Sequence, residues 1–214
     1  MKKAIVIGGT GMVGIELIKQ LIQNPDFSEI ISFVRRPSGI VHPKLNEYQI
    51  DFDLPEKWEK LVVGDVLFST LGTTLAKAKS KDAQFKVDFE YQYKVAEIAS
   101  KNGVSNYVLV SSAGANASSG VFYSSIKGKL EDAVKSLPFE VISILRPGQL
   151  AGNRNENRVG ERMGLSVMYF LNKIGLFRRY KPIQASQVAQ AMIHAANKTI
   201  SSTYILGELF RLAE

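Results

Sequence analysis

The sequence predicts an α/β protein in which a doubly wound parallel sheet carries helices on both faces. Short apolar runs such as residues 4–7 fit strands that are buried on both faces. Segments with apolar residues at helical spacing alternate with these runs, which is typical of βαβ units. The first strand also passes through a glycine-rich turn, residues 8–14, directly into an amphipathic helix. This opening is that of a nucleotide-binding βαβ unit, so the predicted fold is Rossmann-like, with a small C-terminal substrate lobe.

The glycines of the first turn have separate predicted roles. Gly8 permits a tight turn, Gly11 lets a ligand phosphate approach the backbone, and Gly14 lets the helix pack close to the sheet. The backbone N–H groups and the positive dipole end of the helix suit a dinucleotide pyrophosphate. The spacing is Gly-x-x-Gly-x-x-Gly rather than Gly-x-Gly-x-x-Gly, and the alternative is a purely structural turn. The predicted cofactor-binding residues of the turn are Gly8, Thr10, Gly11, Met12, Val13 and Gly14.

The end of the second predicted strand, residues 29–34, indicates which dinucleotide binds. An NAD site places an acidic residue there for the ribose 2′-hydroxyl, whereas an NADP site places arginine there for the 2′-phosphate. This chain has Arg35 and Arg36. Two guanidinium groups suit a phosphate, so the sequence predicts NADP(H). The alternative is a pair of solvated loop residues.

Two further strands are predicted to end at the cofactor cleft. Residues 49–53 fit a short third strand, in which Asp51 either accepts a hydrogen bond from the adenine amine or forms a turn. Residues 65–69 form an apolar fourth strand that is followed by small residues, and the ligand cleft of an open α/β sheet lies at such carboxyl ends. The residues predicted to pass close to the cofactor here are Leu71 and Gly72.

A hydroxyl that takes part in catalysis is expected at the end of the fifth predicted strand, which follows the next predicted helix. Residues 75–81 are small and basic, which predicts a mobile loop, and residues 83–102 predict a helix that ends before Gly103. Residues 105–115 then predict a fifth strand, whose end carries the hydroxyls of Ser111 and Ser112. Strand alternation allows only one of these hydroxyls to face the cleft, and it favours Ser112.

Tyr123 and Lys127 are the candidates for acid/base chemistry. Residues at positions i and i+4 lie on one face of a helix. A phenol has an unperturbed pKa near ~10, and an adjacent ammonium favours its phenolate form. The same lysine can bind the ribose hydroxyls, and Ser112 can hold a substrate carbonyl oxygen. The sequence therefore predicts Ser112, Tyr123 and Lys127 as a catalytic set.

Taken together, these motifs resemble those of the short-chain dehydrogenase/reductase superfamily. The chain is most similar to its small atypical members, the Tat-interacting-protein-like oxidoreductases. The residues that carry the resemblance are 8–14, 35–37, 71–74, 110–115, Tyr123, Lys127, Gly128, 145–148 and 153–158.

The resemblance implies a Rossmann-like fold that binds NADPH. It implies that Tyr123 is the general acid/base, that Lys127 is its partner, and that the Ser112 hydroxyl aligns the substrate. Arg35 and Arg36 would hold the 2′-phosphate. The residues that it places along the cofactor or substrate cleft are Leu71, Leu150 and Arg158.

The remainder of the chain predicts the substrate lobe. We expect one domain over residues 1–214, with residues 151–183 contributing most of a small lobe. The elements predicted in the C-terminal part are a strand at 140–145, a helix at 163–174, a helix at about 187–196 and a last strand at 204–206. So short a lobe favours a small substrate or none.

Composition excludes several classes of function. There is no cysteine, and the two histidines lie far apart, so neither a disulfide framework nor a metal site is predicted. No apolar run is long enough to span a bilayer, and no leader precedes the first strand, so we expect a cytoplasmic protein without a membrane partner. The net charge is +7, but the basic residues are dispersed, so no nucleic-acid partner is predicted.

Three functions are compatible with these features. The first is an NADP(H)-dependent oxidoreductase that acts on a small carbonyl/alcohol substrate. The second is an NADP(H)-binding regulatory or interaction protein with little turnover, and the third is a nucleotide-sugar epimerase or dehydratase. The complete set of Ser112, Tyr123 and Lys127 favours the first, because binding alone does not need all three. A protein partner or a homo-oligomer is also compatible with the sequence.

Overall fold

The computed structural model describes residues 1–151 and 182–214. Its strands are β1 Lys2–Ile7, β2 Phe27–Val34, β3 Leu45–Gln49, β4 Val66–Ser69, β5 Asn106–Val110, β6 Val141–Arg146, β7 Leu150–Ala151, β8 Ile183–Gln184 and β9 Ser202–Ile205. Its α-helices are α1 Met12–Gln23, α2 Leu75–Ala78, α3 Lys81–Phe85, α4 Tyr91–Lys101, α5 Phe122–Lys135, α6 Ala185–Ala195 and α7 Gly207–Leu212. A π-helical segment, Lys86–Glu90, joins α3 to α4.

The main sheet has seven parallel strands in the order β3-β2-β1-β4-β5-β6-β9. Strands β7 and β8 form a separate parallel pair. The order reverses between β1 and β4, and the carboxyl ends of these two strands flank the place where an open α/β sheet binds its ligand. The predicted Rossmann-like, doubly wound sheet is therefore confirmed.

Both faces of the sheet are covered because β1 directs apolar side chains to each side. Ala4 and Val6 pack in one core with α1 and α6, which we call the first face. Ile5 and Ile7 pack in the other core with α4 and α5, which we call the second face. A strand that is apolar on both sides is stable only between two layers of helices, which is why β1 lies inside the sheet and not at its edge.

The predicted third strand is wrong in position. The strand that pairs with β2 is Leu45–Gln49, in register from Ile30 opposite Leu45 to Val34 opposite Gln49. It is an edge strand and only partly buried, so its sequence lacks the apolar run that marks the inner strands. Phe52, whose apolar character suggested a strand, packs instead against Trp58 in the second core, with ring centroids 6.0 Å apart.

The predicted loop at residues 75–81 is also wrong, because α2 lies there and α3 begins there. Thr74 accepts a hydrogen bond from the Lys77 N–H at 3.3 Å, and Ser80 accepts one from the Ala83 N–H at 3.1 Å. Both hydroxyl residues are N-caps, which stabilise helices too short to show apolar periodicity. Lys79, between the two helices, has a φ of +70°, in the left-handed region.

Several predictions fall outside the described residues. They are the helix at 163–174, most of the substrate lobe at 151–183, and Arg158. Within residues 1–151 and 182–214, no helix combines the length and apolarity that crossing a membrane requires. In the same residues, no three His, Asp or Glu side chains form a group that could hold a metal ion.

Candidate active site

A cleft of about 890 Å³ opens at the carboxyl ends of β1, β2 and β4. This volume lies within the range of sites that enclose small ligands and cofactors. The turn after β1 and the loop after β4 meet at its base. A Cβ on Gly8, whose φ is +82°, would lie 2.4 Å from the backbone nitrogen of Leu71, so only glycine fits there. The predicted cofactor residues that line the cleft are Gly8, Thr10, Gly11, Arg35, Arg36, Leu71 and Gly72.

The turn after β1 delivers the N-terminus of α1 to the cleft. Gly11 is the N-cap, and in the described part of the chain no side chain accepts a hydrogen bond from the first N–H groups of this helix. Its first turn also contains no acidic residue. Unpaired N–H groups and the helix dipole together favour an anion at this position. The geometry fits the pyrophosphate of a dinucleotide.

The second half of the turn packs against the protein rather than the cleft. A Cβ on Gly14 would lie 2.1 Å from the Gly8 carbonyl oxygen, so this glycine lets α1 approach the turn, as predicted. Val13 is 6% exposed and belongs to the core of the first face. Met12 packs against the same core. Among the described residues, these three lie outside the lining of the cleft.

The wall of the cleft after β2 is cationic. Arg35 and Arg36 are both exposed and both line the cleft. The described lining residues include no Asp or Glu. A phosphate placed here would therefore meet guanidinium groups without a competing carboxylate, which is the condition for recognition of a 2′-phosphate.

Asp51 lies in a turn beyond β3. Its side chain accepts a hydrogen bond from the Asp53 N–H at 2.9 Å, and its carbonyl oxygen accepts one from Trp58 Nε1 at 2.8 Å. These contacts correspond to the turn-forming alternative that the sequence left open. The adenine contact of Asp51 stays a prediction, and the neighbouring Phe52 lines the cleft.

The two serines after β5 have different environments. Ser111 is 5% exposed, and its hydroxyl donates a short hydrogen bond to the Glu131 carboxylate. Arg146 also donates to this carboxylate, from Nε at 3.0 Å and from Nη2. Ser112 is partly exposed. Because Ser111 is committed to the buried network, the geometry favours Ser112 as the hydroxyl that a substrate reaches.

Tyr123 and Lys127 lie on α5, one turn apart, as predicted. Tyr123 is 40% exposed, whereas Lys127 is 3% exposed, and its Nζ lies 6.0 Å from the centroid of the Tyr123 ring. A Cβ added to Gly72 would lie 4.0 Å from the same Nζ, so the lysine reaches the loop that lines the cleft. The helix therefore places an accessible phenol above a buried lysine, beside the loop that lines the cleft.

The structure also reveals Asp88, which the sequence analysis missed. Its carboxylate is fully buried, and Oδ1 lies 3.7 Å from Lys127 Nζ. Burial raises the pKa of Asp88, and the nearby Lys127 opposes this shift. Burial likewise lowers the pKa of Lys127, and Asp88 and Glu131 oppose that shift. The polar residues Gln84, Asp88 and Gln92 recur every fourth residue and are all buried, a pattern that could have identified this site.

Comparison with known proteins places this geometry in a family. Residues 8–199 match the family described as NAD(P)H-binding. The protein FMP52-1, mitochondrial, of Scheffersomyces stipitis is 33% identical over 202 residues, which cover 92% of this chain and 88% of the relative. The protein FMP52, mitochondrial, of Candida albicans is 35% identical over 202 residues, with the same shares of each chain.

Solved structures share the fold at low sequence identity. The enzyme WbmH of Bordetella bronchiseptica, solved with NAD+, has a TM-score of 0.74 and 16% identity, over 97% of this chain and 76% of that one. The UDP-glucose 4-epimerase of Thermotoga maritima, solved with UDP-glucose, gives 0.68 and 16%, over 99% and 81%. A short-chain dehydrogenase/reductase superfamily protein of Agrobacterium tumefaciens, solved with NAD, gives 0.70 and 16%, over 94% and 76%. The predicted resemblance is confirmed as an NAD(P)-binding Rossmann fold.

The relatives overturn one prediction from composition. The cytoplasmic location is contradicted, because the two fungal relatives above and the fmp52 protein of Emericella nidulans are all named as mitochondrial proteins. The absence of cysteine and of apolar spans carries no information about the cellular compartment, which is why that inference failed.

Proposed function

This chain belongs to the NAD(P)H-binding family, and we propose that it is an NADP(H)-dependent oxidoreductase that acts on a small carbonyl/alcohol pair. One observation carries the proposal. The half-exposed Tyr123 lies above the buried Lys127, and Lys127 reaches the loop at Gly72 that lines the dinucleotide cleft. An acid/base pair at the edge of such a cleft is what carbonyl reduction requires.

Each part of NADPH has a candidate partner in the chain. The N-terminus of α1 would hold the pyrophosphate, Arg35 and Arg36 the 2′-phosphate, and Lys127 the ribose hydroxyls. When bound, the cofactor supplies or accepts the hydride of the redox reaction. The absence of a carboxylate from the described lining of the cleft supports the phosphorylated cofactor over NADH.

The protein itself would supply and remove the proton of the reaction. Tyr123 would donate it to the substrate carbonyl oxygen during reduction and remove it from the alcohol during oxidation. The Lys127 ammonium would stabilise the phenolate that remains after donation, because opposite charges attract strongly in a buried site. The Ser112 hydroxyl would donate a hydrogen bond to the same oxygen and hold it near the phenol.

A titration with NADPH and with NADH tests the cofactor assignment. Replacing both Arg35 and Arg36 with Ala should weaken NADPH binding by about 10-fold to 100-fold, since charge-assisted hydrogen bonds contribute roughly 1.5–3 kcal/mol. NADH affinity should stay nearly unchanged. The double replacement of Lys129 and Lys135 with Ala, at two exposed positions of α5, is the matched loss of two positive charges. An equal loss for both cofactors would refute the phosphate role.

Turnover of small aldehydes and ketones tests the reaction. Tyr123→Phe should lower turnover by about 10²-fold to 10⁴-fold and leave NADPH affinity intact, because it removes only the transferred proton. Persistent turnover would show that Tyr123 is a packing residue. NADPH binding without turnover of any carbonyl would favour the regulatory alternative.

The epimerase alternative has its own assay. It is supported by the likeness of fold to the Thermotoga maritima UDP-glucose 4-epimerase, although this chain spans 81% of that enzyme. If the chain is an epimerase, the protein with its cofactor bound should convert UDP-glucose to its epimer without a net change in NADPH absorbance. Absence of that conversion, together with carbonyl reduction, would reject it.

A further inference from the structure

The helix that faces α5 on the second face of the sheet is interrupted at one place. Residues Lys86–Glu90 form a π-helical segment between α3 and α4, and Asp88 lies in the middle of it. Such widened turns occur frequently at functional sites, because they turn a side chain in a direction that a regular helix does not allow. Here the turned side chain is a carboxylate without solvent access.

Hydrogen bonds fix this carboxylate in place. Oδ1 of Asp88 accepts from the Thr73 N–H at 3.1 Å, and Oδ2 accepts from Gln84 Nε2 at 3.2 Å. Gln92 donates to the Asp88 carbonyl oxygen at 2.9 Å and accepts from the Ser69 hydroxyl at 2.7 Å. The π-helical segment is thus bound to the end of β4 and to the loop that follows it. That loop lines the dinucleotide cleft.

Besides Asp88, few acidic groups of the described residues lie near Lys127. The ionisable groups of the described residues that face it are Asp88 from the π-helical segment, and Glu131 and Tyr123 from its own helix. Glu131 is already held by Arg146 and Ser111. The Asp88 carboxylate is therefore the principal counter-charge of the buried ammonium, and a buried ammonium without one is strongly disfavoured.

We propose that Asp88 is the positioning residue of this centre, which keeps Lys127 charged beneath Tyr123 and links it to the cofactor loop through Thr73. Asp88 is fully buried and is not among the described residues that line the cleft, so we assign it a role that acts through Lys127. The consequence for catalysis rests on the function proposed above, whereas the ion pair itself does not.

A double-mutant cycle in urea unfolding tests the pair without any assay of activity. Asp88→Asn preserves the shape and the acceptor for Thr73 but leaves Lys127 without its counter-charge, so the unfolding midpoint should fall. Lys127→Met in that background should recover part of the loss, because it removes the unpaired ammonium. Additive losses would overturn the proposal. If Asp88→Asn does not fold, folding of the double variant supports the pair, and failure of both variants refutes it.

The pH dependence of NADPH affinity tests the positioning role. Wild-type affinity should fall at the alkaline pH where Lys127 loses its proton, and in Asp88→Asn this fall should occur at lower pH. Lys127→Met is the control that lacks this step and shows the contribution of other lysines. Coincident curves for wild type and Asp88→Asn would show that the pair is only structural. If wild-type protein does not bind NADPH, the proposed function fails, while the unfolding cycle still decides whether the pair exists.

Discussion

The two faces of the sheet each bury an apolar core, but they differ in chemistry. The first face, under α1 and α6, is an apolar core in which the buried polar side chains are serines, such as Ser143, which donates to the Ala195 carbonyl oxygen at 3.4 Å. On the second face, α4 and α5 cover an apolar core. Beside this core, charged side chains of the π-helical segment and of α5 are buried. Among the described residues, the buried side chains with a formal charge are Asp88, Lys127 and Glu131. All three belong to the second face.

This difference separates two kinds of contribution to the protein. The first face stabilises the fold through burial of apolar area, which is tolerant of volume-conserving change. The second face combines stability and chemistry, because the groups that hold Lys127 in place are also buried charges that need partners. Substitutions in the apolar core of the first face should therefore change stability alone, whereas substitutions among the buried charges of the second face should change stability together with activity.

The largest expected effect breaks the ionic network of the second face. Glu131→Ala should lower the free energy of unfolding by about 3–5 kcal/mol, because it leaves the buried Ser111 hydroxyl and the partly buried Arg146 without the carboxylate that they share. Chemical denaturation measures this loss. Glu131→Gln, which keeps an acceptor for Ser111, should lose less, and equal losses in the two variants would indicate that packing rather than charge is decisive.

On the first face, Leu17→Ala should cost about 2–5 kcal/mol, because Leu17 is fully buried in α1 and its removal leaves a cavity. The same denaturation experiment measures it. Leu61→Ala, at a position that is 37% exposed, is the matched control and should cost much less. The folded Leu17→Ala protein should keep the wild-type ratio of NADPH to NADH affinity. A changed ratio would contradict the separation of the two faces.

The smallest effect is expected at the surface of the second face. Lys86 and Tyr91 hydrogen-bond to Asp53 and hold the pKa of its carboxyl below the ordinary value. The stabilisation is present above the unfolded-state pKa and is lost as the pH falls through the lower, folded-state pKa. Asp53→Asn should cost below about 1 kcal/mol at neutral pH, since the pair is exposed. Unfolding measured from pH 7 down to pH 2 should show the variant and wild type converging in acid.

Much of the cofactor side could be predicted because its information is local in the sequence. The turn after β1 and the arginines after β2 are each contiguous, and the spacing of Tyr123 and Lys127 follows from a single helix. Asp88 could not be found in the same way, because its partner lies on another helix and only the fold brings them together. The edge strand β3 and the short helix α2 were missed because neither contains an apolar pattern.

The contact between Gly8 and Leu71 has a consequence for engineering this cleft. Because the turn and the loop touch through their backbones, a side chain at Gly8 would push apart the ends of β1 and β4. Arg35 and Arg36, by contrast, are exposed at the rim of the cleft. Under the proposed role of Arg35 and Arg36, the residues that set cofactor preference lie on a surface that can be changed independently of the scaffold. A redesign from one dinucleotide to the other should begin with the segment after β2 and leave the glycine turn untouched.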